Sequence, residues 1–308
     1  MVIVAAVLAL SPGQPASAQN LHYGMNTQAD LYGVSAPMLD KLAELGAGVL
    51  RLPFGWDVIE PSCKGCFDWT ITDRWRDEAR RTHRTIFASL GYTSRWANGG
   101  RDYSYPPLND QDWYDFVFAV VSRYKNDIVL WGIWNEPNLN SYLHDSDIAT
   151  YARLVTTATL AIRAANPVAR ILGPEVSHHA LNDGWYAAVM DAVGDRFDIV
   201  TFHWYHDGPP LAFALDELVR PHARGRDVWL TEVGLKPCAT IYGDIGQALL
   251  YNQVLSAFLD RRAWWTGVIF YDLYELPRAN DCGSAIVNFD WSNRAAFSLL
   301  QAFIKAVP

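Results

Sequence analysis

Two glutamates stand where chemistry could be done. Glu136 in W-N-E-P-N (134–138) and Glu232 in W-L-T-E-V-G (229–234) each close a short apolar run that reads as a buried strand. Carboxyl groups delivered from the ends of two parallel strands can work as a pair. One protonates a leaving oxygen while the other attacks an acetal carbon, which is the minimal machinery for breaking a glycosidic bond with retention. That work requires the two carboxyls about 5 to 5.5 Å apart, so the elements that carry them must bring distant segments together.

Those elements alternate along the chain. Apolar runs predict strands at Tyr23–Asn26, Gly48–Phe54, Thr85–Leu90, Ile128–Asn135, Arg170–Gly173, Asp198–His203, Asp227–Glu232 and Gly267–Tyr271. Amphipathic periodicity predicts helices such as Pro37–Leu45, Asp112–Tyr124, Ile148–Ala165, Gly184–Val193, Ile245–Arg261 and Arg294–Ala306. Strands that are continuously apolar are covered on both faces, and eight strand and helix units in succession predict a single-domain (β/α)8 barrel of the α/β class. An open doubly wound sheet is the rival. No Gly-rich phosphate fingerprint follows the first strand, where Gly24-Met25-Asn26-Thr27 stands, so nucleotide binding by such a sheet lacks support. In a closed barrel, residues at strand ends share one face, which gathers Arg51, Asn135, Glu136, His203, Tyr205, Glu232, Tyr271 and Asp272. The long stretch 91–107, rich in Tyr, Trp and Gly, reads as a loop shaping a groove.

Composition narrows the partners. With 308 residues, half of them hydrophobic, the chain can bury one large core, and its net charge of -8 lacks the clustered Lys and Arg that nucleic acid or an anionic membrane would require. Val2–Leu10 is apolar but too short to span a bilayer, and Ala16-Ser17-Ala18 follows as a small-x-small cleavage pattern. Residues 1–18 therefore read as an export leader, although no basic residue precedes the apolar run, and 19–308 as the barrel. The expected location is secreted, extracellular or periplasmic, with a carbohydrate as the partner, a monomeric chain, and no cofactor. Four cysteines fit an oxidising compartment; of the three pairings open to them, Cys63 with Cys66 and Cys238 with Cys282 is the one adopted. Zinc at Cys63-Lys64-Gly65-Cys66 would need a second ligand pair, and His178-His179 and His206-Asp207 lack ligand spacing, so no metal site is expected.

The residues also carry a resemblance. R-L-P-F at Arg51, P-P-L-N-D-Q-D-W-Y-D-F-V from Pro106, W-G-I-W-N-E-P-N ending at Asn138, F-D-I-V-T-F-H-W-Y ending at Tyr205 and L-T-E-V-G at Glu232 together resemble clan A glycoside hydrolases. The chain is most similar to family 39, with relatives in families 5 and 42. The resemblance implies that Glu136 is the general acid/base and Glu232 the nucleophile, and that His203 lines the catalytic subsite. It departs from the clan near the end of the eighth strand, where a Trp platform commonly stands and this chain reads G-V-I-F-Y-D-L-Y-E, so that Phe270, Tyr271 or Tyr274 would substitute.

The remaining assignments follow from what such a pair needs. Arg51, a permanent cation, would hold Glu232 ionised, and Tyr205 could donate its hydroxyl to the same carboxylate. Asn135 would meet the sugar 2-OH, a contact that strengthens as positive charge develops in the transition state. Pro137 disfavours helical geometry at Glu136 and so helps to aim its carboxyl. Glu175 and Asp272 also end strands, where structural hydrogen bonding is the favoured reading. Trp56, Trp96 and Trp204 are candidates to stack on sugar rings, with ordinary packing as the competing account. A retaining glycosidase acting on a beta-linked polysaccharide or oligosaccharide is the function expected; the alternative is a catalytically inactive secreted carbohydrate-binding barrel.

Overall fold

The structure of the chain, a computed structural model, describes residues 21–27, 35–274 and 282–308. The expected leader, 1–18, lies outside them. Strands β1 (His22–Asn26), β2 (Val49–Gly55), β3 (Thr85–Gly91), β4 (Leu130–Ile133), β5 (Arg170–Gly173), β6 (Ile199–Tyr205), β7 (Val228–Gly234) and β8 (Trp265–Phe270) follow one another around a closed barrel. All neighbours pair in parallel, and β8 returns to β1. The (β/α)8 expectation holds.

Strand alternation divides the apolar residues into two cores. In β2, Leu50, Leu52 and Phe54 join the large core shared with the helices. Val49 points inward, where it meets Phe87, Leu130, Leu172, Ile199, Trp229 and Ile269 in a second, smaller cluster. Those seven side chains come from β2 to β8. β1 contributes Gly24, because a Cβ there would lie 2.8 Å from the Val49 carbonyl oxygen and 3.1 Å from Ile269. The cluster is the dry floor on which the polar layer rests. Arg51, two residues beyond Val49 on the same face, holds its guanidinium 5.6 Å from the centre of the Phe87 ring.

Helices α1 (Ser35–Leu45), α2 (Thr70–Thr82), α3 (Asp110–Tyr124), α4 (Ile148–Ala165), α5 (Trp185–Val193), α6 (211–223), α7 (Gly243–Arg261) and α8 (Ala295–Ala306) belong to the outer layer. Helix α3 starts two residues before its predicted first residue, because the Asn109 side chain accepts the Gln111 N–H and caps it. Two helices escaped the apolar pattern. Helix α2 is rich in charge and buries only Thr72, Trp75 and Ala79, while α6 is broken by wider π turns over Ala214–Val219. β4 ends at Ile133 rather than Asn135, since Trp134 takes a left-handed φ of 67° and leaves the ladder.

Candidate active site

The polar layer begins with Arg51. Its Nε donates to Glu175 Oε2 at 2.9 Å, and Nη2 approaches the same oxygen at 2.7 Å. Nη1 donates to Asn26 Oδ1 at 2.9 Å and Glu232 Oε2 at 3.1 Å, and Nη2 also donates to Asn135 Oδ1 at 2.8 Å. Four acceptors from β1, β7 and the loops after β4 and β5 are thus oriented by one buried guanidinium. The contact leaves Asn135 with its NH2 as the group that Arg51 does not use.

Glu175 lies at the bottom of this network and is fully buried. Burial opposes its charge, but Arg51, His203 and the Thr231 hydroxyl, 2.7 Å from Oε1, outweigh it and hold the carboxyl down to about 2. Hydrogen bonding was its expected role, and it makes the bonds; its place beneath the two candidate catalytic glutamates was not foreseen. Three strands had to meet before that position existed, so no local signal could have announced it.

Above it, His203 Nδ1 stands 3.0 Å from Glu136 Oε1 and 3.7 Å from Glu232 Oε2, while Nε2 faces Glu175 at 3.7 Å. Burial alone would strip the ring of its proton. The charge of Glu232 and the contacts with Glu136 and Glu175 prevail over that and over Arg51, and raise the imidazole to about 9. His203 is therefore an imidazolium that donates to Glu136. Tyr205 donates its hydroxyl to Glu232 Oε1 at 2.5 Å; burial and the anionic partner push the phenol well up.

Backbone geometry aims these groups. Tyr92, Trp134 and Glu175, just past β3, β4 and β5, have φ of 62°, 67° and 54°, and Glu136 has 43°. Each such residue costs about 1–3 kcal/mol, and four of them ring one cleft, the pattern of a site held by its surroundings. On β7 the ladder slips: Phe202 pairs with Leu230 but His203 with Glu232, leaving Thr231 as an inserted residue. The bulge lets Thr231 reach down to Glu175 while its neighbour Glu232 reaches Arg51 and Tyr205.

A cavity of about 390 Å³ opens beside this cluster. Glu232, Arg51, Asn135 and Tyr271 line it, together with Asp57, Tyr92, Tyr103 and Tyr142. Tyr92 and Tyr103 come from the groove-shaping loop anticipated after the third strand; Asp57 and Tyr142 were not anticipated. Of the three substitutes for a platform Trp, Tyr271 faces the cavity, Phe270 packs on Tyr251 at 4.4 Å, and Tyr274 stacks on Trp291 at 4.2 Å.

The three tryptophans proposed to stack on sugar are placed elsewhere. Trp56 is wholly buried against Phe116 and Trp113, with its indole N–H on Glu60. Trp96 packs edge-on to Trp56 and donates to the Glu60 carbonyl, and Trp204 is buried in the outer core with its N–H on Pro209. Strand parity explains the last: with His203 and Tyr205 inward, Trp204 must face out. Cys63 is bonded to Cys66 in the loop after β2, and Cys238 to Cys282 with Cα atoms 6.0 Å apart, which ties the loop after β7 to the segment after β8.

Glu136, His203 and Glu232 each bring a donor atom within 4.8 Å of the others, a spacing that a cation could bridge. Arg51 Nη1 already donates to Glu232 Oε2, one of the oxygens of that group.

Comparison with known proteins agrees with this geometry. A family profile described as glycosyl hydrolase catalytic core matches residues 108–283. A beta-xylosidase of Geobacillus stearothermophilus is 26% identical over 169 residues, which is 49% of this chain and 33% of that protein. The manganese dependent endoglucanase Eg5A of Phanerodontia chrysosporium is 28% identical over 151 residues, 46% of this chain and 37% of that one. The chain thus spans about a third of the length of these curated relatives. The structure of a family 39 glycoside hydrolase from Bacteroides cellulosilyticus WH2 superposes with a TM-score of 0.75 at 17% identity, covering 93% of this chain and 64% of that one, and shares the fold.

Proposed function

The chain belongs to the glycosyl hydrolase catalytic core family, and from that premise we propose that it hydrolyses a beta-linked glycan with retention, Glu136 serving as acid/base and Glu232 as nucleophile. The observation that carries the proposal is the closeness of the two carboxyls. An oxygen of each lies within 4.8 Å of the other, well short of the about 6.5–9.5 Å that an inverting pair needs to admit water between them. The beta linkage is supported by the kinds of relative the chain has, a beta-xylosidase and an endoglucanase.

The surroundings divide the labour. Arg51 and Tyr205 hydrogen-bond to both oxygens of Glu232, which favours the anion and points it for attack on the anomeric carbon. Glu136 is the carboxyl left to protonate the leaving oxygen, and His203 Nδ1, 3.0 Å from its Oε1, orients it. Having given its proton to the leaving group, Glu136 is a carboxylate once Glu232 is esterified; it then draws a proton from the incoming water, whose oxygen attacks the anomeric carbon and releases Glu232. Asn135, braced by Arg51, offers its NH2 toward the ring hydroxyl next to the reacting carbon.

Proton NMR of the first-formed sugar tests the reading: a beta product from a beta-linked substrate is expected, and an alpha product would exclude it. We also propose, on the strength of the two disulfides, that the chain works outside the cytoplasm. Recovery of active protein from the culture medium with both bonds intact is the matching test.

A further inference from the structure

The cavity beside Glu232 has a carboxyl that the mechanism above does not use. Asp57 sits in the short helix Trp56–Ile59 that follows β2, with its backbone N–H on the Tyr92 carbonyl at 3.0 Å. Its side chain folds back over the end of β2. A Cβ on Gly55 would lie 2.6 Å from Asp57 Oδ1, so the glycine makes room for this conformation. That oxygen is shielded from solvent and has no hydrogen-bond partner among the described residues. A half-buried carboxylate that takes only two backbone N–H groups keeps acceptor positions for a donor arriving from the cavity.

The position of the cavity says what could arrive. Glu232 and Asn135 line it, but Glu136, His203 and Tyr205 do not. Glu136 protonates the leaving group, so the leaving group lies on the Glu136 side and this cavity receives the sugar unit that becomes bound to Glu232. Tyr92, Tyr103 and Tyr142 line the same space, a supply of apolar faces for a pyranose. Its charge is one-sided. Arg51 is the sole cation among the described lining residues, and its N–H groups are directed to Glu175, Asn26, Glu232 and Asn135. None of the other described lining residues would neutralise an incoming anion, whereas Asp57 and Glu232 would repel one.

Resting on the reading above, we propose that Asp57 is a substrate-binding residue that accepts hydroxyl hydrogens of the glycosyl unit in this cavity, and that the cavity takes neutral sugars and rejects uronic and sulfated ones. The burial that raises the Asp57 carboxyl to about 6 against the pull of two backbone N–H groups is what an acceptor awaiting its donors experiences.

The test compares wild type, Asp57→Ala and Asp57→Asn on xylo-, cello- and manno-oligosaccharides and on 4-nitrophenyl beta-glucuronide. Labelling of Glu232 by 2,4-dinitrophenyl 2-deoxy-2-fluoro-glycosides is followed in parallel. On the best neutral substrate Asp57→Ala should lose about 10- to 100-fold in kcat/KM, mostly through KM, as expected for a lost hydrogen bond to a charged group. Asp57→Asn should recover part of the loss and turn over the glucuronide faster than wild type. The thermal midpoint of each variant and its continued labelling at Glu232 show that the fold and nucleophile persist. If wild type is labelled and active but Asp57→Ala keeps its kcat/KM, or if wild type prefers the glucuronide, this inference is wrong and the retaining reading stands. If wild type is neither labelled nor active on any glycoside, the retaining reading itself fails.

Discussion

His203 Nδ1 lies 3.0 Å from Glu136 Oε1, and the same ring presents Nε2 to Glu175 at 3.7 Å, so one imidazolium links the candidate acid to a carboxylate buried below it. Such a link makes stability depend on pH from two sides. The ring titrates near 6.5 when unfolded and at about 9 in place; its contribution is complete below pH 6.5 and is lost as pH rises through 9. Glu175 is depressed from 4.5 to about 2; its contribution is complete above pH 4.5 and is lost as pH falls through 2. Urea midpoints measured from pH 2 to 10 should form a plateau between those flanks, and His203→Asn should flatten the alkaline one. An alkaline flank unchanged in His203→Asn would mean that the ring is neutral.

Separate roles for the carboxylates predict separate rescues. Glu232→Ala should lose at least about 10³-fold in kcat, and azide should restore turnover to a glycosyl azide of inverted configuration, because the anion takes the place of the nucleophile. Glu136→Ala should spare 2,4-dinitrophenyl glycosides, which leave without protonation, far more than natural linkages. Equal losses on both substrates would remove Glu136 from the role of acid.

Arg51 serves four acceptors through a planar fork, which an ammonium cannot reproduce. Arg51→Lys should therefore keep the fold and lose about 100-fold in kcat/KM. Arg51→Ala strands Glu175 without its cation and should lower unfolding free energy by about 3–5 kcal/mol. Denaturant titration alongside kinetics distinguishes the two, and a lysine variant with full activity would show that charge alone suffices.

The disulfides should differ in consequence. Cys238–Cys282 spans 44 residues, so removing it should cost about 3–4 kcal/mol and also raise KM, since it joins the loop after β7 to the segment after β8. Cys63–Cys66 spans three residues and should matter less to both. Non-reducing peptide mapping with urea melts of Cys282→Ser and Cys66→Ser checks this; equal losses would contradict it.

The barrel was legible because continuous apolar strands alternate with amphipathic helices, and that pattern survives small errors in boundaries. Polar residues at strand ends were legible for the same reason: Arg51, Glu136, His203, Tyr205 and Glu232 occupy one face once the barrel closes. The tryptophans misled because aromatic type says nothing about direction. Trp204 could have been corrected by strand parity alone, whereas the burial of Trp56 depends on Phe116 and Trp113, some sixty residues away. Asp57 went unnoticed for a similar reason, since its significance arises from a glycine beside it and from tyrosines supplied by two other loops.

The inserted Thr231 on β7 has a bearing on ancestry. Because Thr231 and Glu232 face inward in succession, losing Thr231 would restore regular pairing and leave Glu232 inward opposite His203, but it would take from Glu175 the hydroxyl that donates to its Oε1. A relative shorter by that one residue would therefore keep both candidate catalytic glutamates on the same face of the barrel. The spacing between the floor tryptophan Trp229 and that glutamate thus reports the support beneath Glu175 rather than the direction of the carboxyl.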